Sequence, residues 1–228
     1  PLPRLEKHLT EQGIASPTVL EALRRELKQE IDEAAQWAEL QPECRAEDAL
    51  RHTVVEPDPA CTAAETAPGG EEVFMVDALN HALSEELARR PNMVIFGEDV
   101  GGGKGGVFGV TAGLAAEYGD KRVFNSPLAE SSIIGVSIGL TQRGFKAVPE
   151  IQFGDYIWTG MMQIRDELAM LNYRSGGDWP CPVVIRMPVG GYIFGGACHS
   201  QNVEATLAHF PGLFVVYPSN ASDAKGLL

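Results

Sequence analysis

Short apolar runs that alternate with helical segments place the strongest limit on what this chain can fold into. From residue 71 onward the apolar runs are separated by segments whose apolar residues recur every three or four positions. Strands separated by helices predict an α/β fold, a mostly parallel sheet with helices on both faces. The expected strands are 93–96, 122–124, 147–151, 182–186 and 213–216, and the expected helices are 76–90, 111–118, 130–142, 156–172 and 221–228.

The N-terminal segment has a different pattern, which is helical throughout. Ser16 and Pro17 are typical of a helix start, as N-cap and first helical residue. Apolar residues then recur at spacings of three and four and predict a helix that ends near Leu40. A shorter helix is expected before it, over 5–12. One apolar stripe cannot bury itself, so this helical segment must dock on another surface.

The stretch EPDPACTAAETAPGG has no periodicity and is rich in Pro, Ala, Thr and Glu. Such a composition predicts a flexible connector rather than a packed element. The sequence therefore predicts three parts, a helical segment over 1–42, a linker over 43–70 and an α/β domain over 71–228.

Composition narrows the possible functions and the compartment. A net charge of −13 argues against nucleic-acid binding, because a phosphate backbone repels such a surface. No apolar run is long enough to span a membrane, and the N-terminus lacks the apolar core of a secretion signal. Cys44, Cys61, Cys181 and Cys198 form no C-x-x-C pair and no zinc spacing, so we expect free thiols, no metal site and a cytoplasmic location.

The run GGGKGG at 101–106 suggests a phosphate-binding loop but does not fit the pattern. A P-loop requires Ser or Thr after its lysine, whereas Gly105 follows Lys104, and Glu98 stands where the first glycine belongs. An exposed, flexible loop is the better interpretation.

Two residues are candidates for proton chemistry. Glu130 falls in the first turn of a helix that follows a strand, at the sheet edge where ligands of parallel α/β folds bind. Such a residue can simply complement the helix dipole, but this helix is apolar almost all round, which predicts a buried carboxyl group that shares a proton with a partner. His199 lies in a glycine-rich stretch after a strand, where an imidazole can transfer protons near neutral pH or serve only a structural role.

Together these segments closely resemble the beta subunit of the decarboxylating component of 2-oxoacid dehydrogenase complexes. The matching stretches occur in order and cover nearly all of residues 72–228: VIFGEDV, GGVFGVTAGLAAEYGDKRVFNSPLAE, PEIQFGDYI, YRSGG, HSQNVEA and HFPGLFVVYPSNASDAKGLL. The stretch PLPRLEKHLTEQGIASPTVLEAL resembles the closing segment of the alpha subunit of the same family. The chain therefore resembles the end of an alpha subunit fused to the start of a beta subunit.

The resemblance implies a thiamine-diphosphate-binding fold of the pyrimidine type, with site residues to match. Glu130 would hydrogen-bond the aminopyrimidine ring and drive it to the imino tautomer that activates the thiazolium carbon. Leu128 would make a backbone contact to the ring, and Gln152 and Tyr156 would pack on or near it. His199 would face the reaction channel and assist decarboxylation and acyl transfer to a lipoyl group.

The implied function is that of an oxidoreductase, the oxidative decarboxylation of a 2-oxoacid, with branched-chain substrates favoured over pyruvate by PEIQFGDYI. The implied partners are an alpha-type diphosphate-binding domain, the lipoyl domain of a dihydrolipoyl acyltransferase and further copies of the chain in a homo-oligomer. No GDG motif followed by Asn is present, so magnesium and the diphosphate would bind to a domain absent from this chain, and the chain alone is expected to be inactive. The alternatives are a non-catalytic assembly domain and a transketolase-like thiamine enzyme.

Overall fold

The computed structural model describes residues 1–43, 45–55 and 70–228. The chain contains two compact units, Pro1–Ala49 and Leu50–Leu228. A short 3₁₀ helix, Ala46–Leu50, is the one regular element described between residues 45 and 55. Cys44, Cys61 and most of the predicted linker lie outside the described residues.

The first unit contains the two predicted helices, α1 (Leu2–Glu11) and α2 (Pro17–Glu39). The predicted N-cap is confirmed, because the Ser16 hydroxyl accepts a hydrogen bond from the Val19 N–H at 3.3 Å. Neither helix buries a residue within its unit. Across the described parts of the chain, no helix is both long and apolar enough to cross a bilayer.

The second unit is built on a parallel sheet of three strands, β1 (Met93–Gly97), β2 (Val123–Asn125) and β3 (Lys146–Glu150). Their order is β2-β1-β3, and both pairings are parallel. Every residue of β1 is buried, which explains why this strand is a continuous apolar run. The predicted parallel sheet is confirmed.

Helices cover both faces of this sheet. Successive side chains of a strand point to opposite sides, so alternate residues of β1 belong to different apolar cores. Val94 and Phe96 belong to one apolar core, which includes the face of α5 (Glu130–Gln142). Met93 and Ile95 belong to a second core, which includes α3 (Met75–Arg89). α4 (Leu114–Tyr118) contributes to the second core, and α8 (Ala221–Leu227) packs against α3.

The prediction of one long regular helix over 156–172 is wrong. The segment consists of a 3₁₀ helix (Gly154–Gly160), a π-helical stretch (Gln163–Leu168) and the short α6 (Leu171–Arg174). Gly160 packs closely on α5, because a Cβ there would be 3.2 Å from the Glu130 carbonyl oxygen. Such contacts between elements are absent from the local pattern that predicts one regular helix.

The prediction of a regular strand over 182–186 is also wrong, although this segment runs beside β3. Arg186 N–H donates to the Pro149 carbonyl at 3.0 Å, and Ile151 N–H donates to the Arg186 carbonyl at 2.9 Å. Only one isolated bridge, between Glu150 and Arg186, results. Pro149 has no N–H to donate toward the segment, so the ladder of hydrogen bonds is interrupted there.

The strand predicted over 213–216 does not form. Among the described residues, no backbone hydrogen bond joins it to a neighbouring strand, and Phe214 and Val216 are exposed. A strand requires a neighbouring strand to pair with, and among the described residues the sheet contains β2, β1 and β3 without this segment. The remaining helix, α7 (Glu204–Leu207), precedes this segment.

The buried sheet leads to a stability prediction. Val123→Ala removes two methyl groups from a fully buried site in β2 and should lower the free energy of unfolding by about 2 kcal/mol. Urea denaturation measures the change. Val136→Ala makes the same chemical change on the exposed side of α5 and should shift stability by less than about 0.5 kcal/mol. Equal effects of the two variants would contradict the described core.

Candidate active site

The candidate site lies where the three strands end. Gly97, the last residue of β1, pairs with Asn125 of β2 and with Glu150 of β3. Because parallel strands all end at the same side of a sheet, the residues that follow them share one edge, here called the strand-end edge. Glu98 follows β1 directly, and Gln152 lies two residues beyond β3.

Glu98 is the buried carboxyl group of this edge. Its exposed fraction is 4%, and neither carboxylate oxygen has a hydrogen-bond partner among the described residues. Burial raises the pKa of Glu98, and the nearby negative charges of Glu130 and Asp99 raise it further. The position therefore favours the protonated, neutral form of this carboxyl group.

A second buried carboxylate, Glu150, is paired with a cation. Arg186 donates to Glu150 Oε2 at 2.7 Å, and the two side chains are 11% and 6% exposed. Burial lowers the pKa of the Arg186 guanidinium, while the charge of Glu150 opposes that shift. The glycine-rich loop lies against this pair, since a Cβ at Gly106 would be 2.9 Å from Glu150 Oε1.

Glu130 is the first residue of α5 and is half-buried. The Thr159 hydroxyl donates to Glu130 Oε2 at 2.9 Å and lies 3.3 Å from the Tyr156 carbonyl oxygen. Glu130 Oε1 has no hydrogen-bond partner among the described residues. The prediction of a buried carboxyl group at 130 is wrong, because Glu130 is only half-buried, and the carboxyl groups that the fold buries at this edge are those of Glu98 and Glu150.

The glycine-rich loop is partly packed rather than wholly exposed. Gly101 and Gly105 are buried, and a Cβ at Gly105 would be 2.6 Å from Ala112 Cα. Lys104 is exposed and forms an ion pair with Asp99 at 2.7 Å, which does not direct it toward a phosphate. Gln152 donates to the other oxygen of Asp99 at 3.0 Å, so this predicted site residue is tied to the residue that follows Glu98.

His199 lies within a cluster of aromatic rings. Its Nε2 is 2.7 Å from the Tyr156 hydroxyl, and its ring is perpendicular to Phe153, with ring centroids 4.6 Å apart. Phe153 also contacts Tyr156 and, at 5.8 Å between centroids, Phe108 of the loop that follows the glycines. These four residues, Phe108, Phe153, Tyr156 and His199, are called the aromatic cluster below.

The structure brings most of the predicted site residues together. Thr159 connects Glu130 to the backbone of Tyr156, and the Tyr156 hydroxyl connects to His199. Gln152 joins the same edge through Asp99. Leu128 has a side chain that is 85% exposed and has no partner in these contacts.

Sequence reasoning missed Thr159, Phe153 and Glu98 as members of the site. Glu98 stands in the GEDV sequence directly after an apolar strand, and that position was a usable signal. Phe153 follows β3 in the same way, but an aromatic residue there is equally typical of a core. Nothing in the sequence points to Thr159, because its contact with Glu130 arises from the packing of two separate helices.

This edge can position an aromatic heterocycle. It offers a carboxylate oxygen that accepts a hydrogen bond, an imidazole, and aromatic rings that can pack against a flat ring. Over the described ranges, no group of three or more His, Cys, Asp or Glu side chains is arranged to hold a metal ion. Of the cysteines described, Cys181 is half-buried, which raises its pKa, and Cys198 is exposed.

Comparison with known protein families identifies the fold of this unit. The family model described as transketolase, pyrimidine binding domain, matches residues 71–228. The chain belongs to this family. The match begins at residue 71, where the sequence analysis predicts the start of the α/β domain, and extends through the strand-end edge and the aromatic cluster.

The pyrimidine-binding domain has close relatives among dehydrogenase subunits. It is 50% identical over 153 residues to the 2-oxoisovalerate dehydrogenase subunit beta of Bacillus subtilis (strain 168), covering 67% of this chain and 46% of the relative. It is 48% identical over 157 residues to the pyruvate dehydrogenase E1 component subunit beta of a Staphylococcus epidermidis strain, covering 69% of this chain and 48% of the relative. The chain thus spans about half the length of these curated relatives.

Among solved structures, a chain described as a split gene transketolase in an inactive beta4 tetramer has the same fold. The TM-score is 0.52 at 23% identity, over 69% of this chain and 46% of that chain. At this identity the likeness concerns the fold alone, and it agrees with the parallel sheet described above.

The burial of Glu98 leads to a prediction about pH. Folding raises the pKa of Glu98 above the ordinary value of 4.5. Glu98 therefore ionises more readily in the unfolded chain than in the folded one, and the free energy of unfolding falls as pH rises above that value. Glu98→Gln should therefore increase the free energy of unfolding at pH 7, and the gain should vanish below pH 4.5. Urea denaturation across this pH range measures it, with Glu117→Gln on the exposed side of α4 as control. A gain that persists unchanged at acid pH would contradict this account.

Proposed function

We propose that this pyrimidine-binding domain is part of the decarboxylating component of a 2-oxoacid dehydrogenase and binds the aminopyrimidine ring of thiamine diphosphate. The observation that carries the proposal is the position of Glu130, next to the aromatic cluster and at the edge where α/β folds bind ligands. About half of the matched residues are identical to beta subunits of 2-oxoisovalerate and pyruvate dehydrogenases.

The residues at this edge fit an aminopyrimidine. Glu130 Oε2 already accepts a hydrogen bond from Thr159, which leaves Oε1 to share a proton with a ring nitrogen. Oε1 donates when the carboxyl group carries the proton and accepts when the ring nitrogen carries it. Tyr156 and Phe153 offer ring faces and edges for a flat heterocycle. Gln152 adds an amide, which is held by Asp99, and Leu128 adds a backbone contact.

The side chains have separate roles in the proposed reaction. When bound, thiamine diphosphate supplies the carbon nucleophile and the electron sink that decarboxylation of a 2-oxoacid requires. Glu130 holds and returns a proton at the pyrimidine ring, with its carboxylate oriented by the Thr159 hydroxyl. His199 provides an imidazole for proton transfer near the substrate and during acyl transfer to a lipoyl group.

The complete reaction requires partners in this proposal. An alpha-type domain would hold the diphosphate and magnesium, a lipoyl domain would accept the acyl group, and the chain would assemble as an oligomer. The segment over 1–42 would correspond to the end of such an alpha subunit, joined by a linker over 43–70. The sequence PEIQFGDYI favours branched-chain 2-oxoacids as substrates. The free thiols Cys181 and Cys198 suit a reducing, cytoplasmic location.

Glu130→Gln tests the proposed proton transfer. In the chain assembled with its alpha-type partner, thiamine diphosphate and magnesium, the amide cannot take up the proton, so 2-oxoacid decarboxylation should fall by at least about 100-fold. Release of CO₂ from branched-chain 2-oxoacids and pyruvate measures it. Glu117→Gln, the same change at an exposed site, should leave turnover intact. Near-normal turnover by Glu130→Gln would reject the proposal.

His199→Ala tests the second role. Removing the imidazole should slow acyl transfer to a lipoyl domain by about 100-fold, with a smaller effect on decarboxylation measured with an artificial electron acceptor. His209→Ala, at an exposed position, is the matched control. Unchanged reductive acylation in His199→Ala would exclude His199 from this step.

A further inference from the structure

The imidazole of His199 is bound by a tyrosine hydroxyl from a different element of the fold. Tyr156 belongs to the 3₁₀ helix Gly154–Gly160 after β3, whereas His199 lies in the loop that follows residue 186. The Tyr156 hydroxyl oxygen is 2.7 Å from His199 Nε2, a distance typical of a strong hydrogen bond. The contact therefore fixes one specific ring nitrogen.

Neighbouring contacts hold the two elements together at this point. Gly154 N–H donates to the Pro188 carbonyl at 2.9 Å, and Asp155 Oδ2 accepts from Gln201 N–H at 3.2 Å. Together with the perpendicular contact of Phe153 on the imidazole, three successive residues before Tyr156 contact the loop that carries His199. The orientation of the imidazole is thus set by several contacts.

Either the Tyr156 hydroxyl or a protonated Nε2 can donate in this hydrogen bond, and the surroundings of the hydroxyl favour donation by the tyrosine. A phenol has one O–H to donate, and no other acceptor for the Tyr156 hydroxyl is found among the described residues. Nε2 of a neutral imidazole can accept this bond only when it carries no proton itself, and then Nδ1 carries it. We propose that Tyr156 is a positioning residue that holds neutral His199 in the Nδ1–H tautomer.

The chemical consequence rests on the proposed function. With Nε2 occupied by the phenol, Nδ1 is the nitrogen left for a ligand, and it is a hydrogen-bond donor even when the ring is uncharged. A neutral donor suits a substrate carbonyl or carboxylate oxygen. The tautomer itself is a property of this chain and does not depend on a bound cofactor.

The tautomer is measured by nitrogen NMR of the chain labelled with ¹⁵N-histidine, at a pH where the ring is neutral. The five histidines are distinguished by comparison with His199→Asn. We expect the His199 signals of the unmodified chain to show a protonated Nδ1 and an unprotonated Nε2. Tyr156→Phe removes only the hydroxyl and should shift the population toward the Nε2–H form that free histidine prefers.

Tyr118→Phe is the matched control, because the Tyr118 hydroxyl bonds Ser84 at 2.9 Å and the ring packs with the core on the other face of the sheet. It should leave the His199 tautomer unchanged. An Nε2–H tautomer in the unmodified chain, or an unchanged tautomer in folded Tyr156→Phe, would overturn the proposal. Should Tyr156→Phe not fold, the tautomer of the unmodified chain decides alone.

The same experiment separates this inference from the proposed function. A tautomer shift in Tyr156→Phe supports the positioning role even where Glu130→Gln retains turnover, a result that rejects only the proposed function. An Nε2–H tautomer in the unmodified chain rejects the positioning role of Tyr156. A loss of turnover in Glu130→Gln would then still support the proposed function.

Discussion

The parallel register of β1 between β2 and β3 is the constraint on which the site depends. Gly97 is paired on both sides, so all three strands end at one level, and the next residue of each chain segment must face the same edge. Both faces of the sheet are covered by apolar cores, so the strand-end edge is where polar side chains can lie outside these cores. Glu98 is the first residue after β1 and is still covered by protein, so its carboxyl group is buried and its pKa is raised.

The elements that sequence periodicity predicts well are those whose packing is regular. α5 was predicted over 130–142 and forms over that range, because its apolar residues face one core and Gly144 ends it with a φ of 84°. The segments 156–172 and 182–186 differ because of contacts that no local pattern contains. Gly160 packs closely on the first turn of α5, and Pro149 has no N–H to donate to the segment beside β3.

The same distinction applies to the site. Glu130 could be placed at the strand-end edge from its position after β2, whereas His199 follows a segment that forms no regular strand. The resemblance to a family supplied the roles expected for both residues. Their orientation could not be predicted, because Thr159 and Phe153 come from a segment whose helical geometry is irregular. The burial of Glu130 was predicted from the apolar character of α5, but a first-turn residue lies at the end of a helix, where the core no longer covers it.

The half-exposed state of Glu130 has a consequence for the proposed chemistry. Excluding water from a site strengthens the hydrogen bonds and electrostatic interactions within it, and a half-exposed carboxyl group lacks that environment. The pyrimidine-binding domain orients Glu130 through Thr159 and supplies one aromatic wall, but the outer side next to the exposed Leu128 is open in this chain. In the proposed function, the partner domain and the cofactor therefore have to close that side. In that proposal, this chain orients the carboxyl group of Glu130, and the assembly excludes water from it.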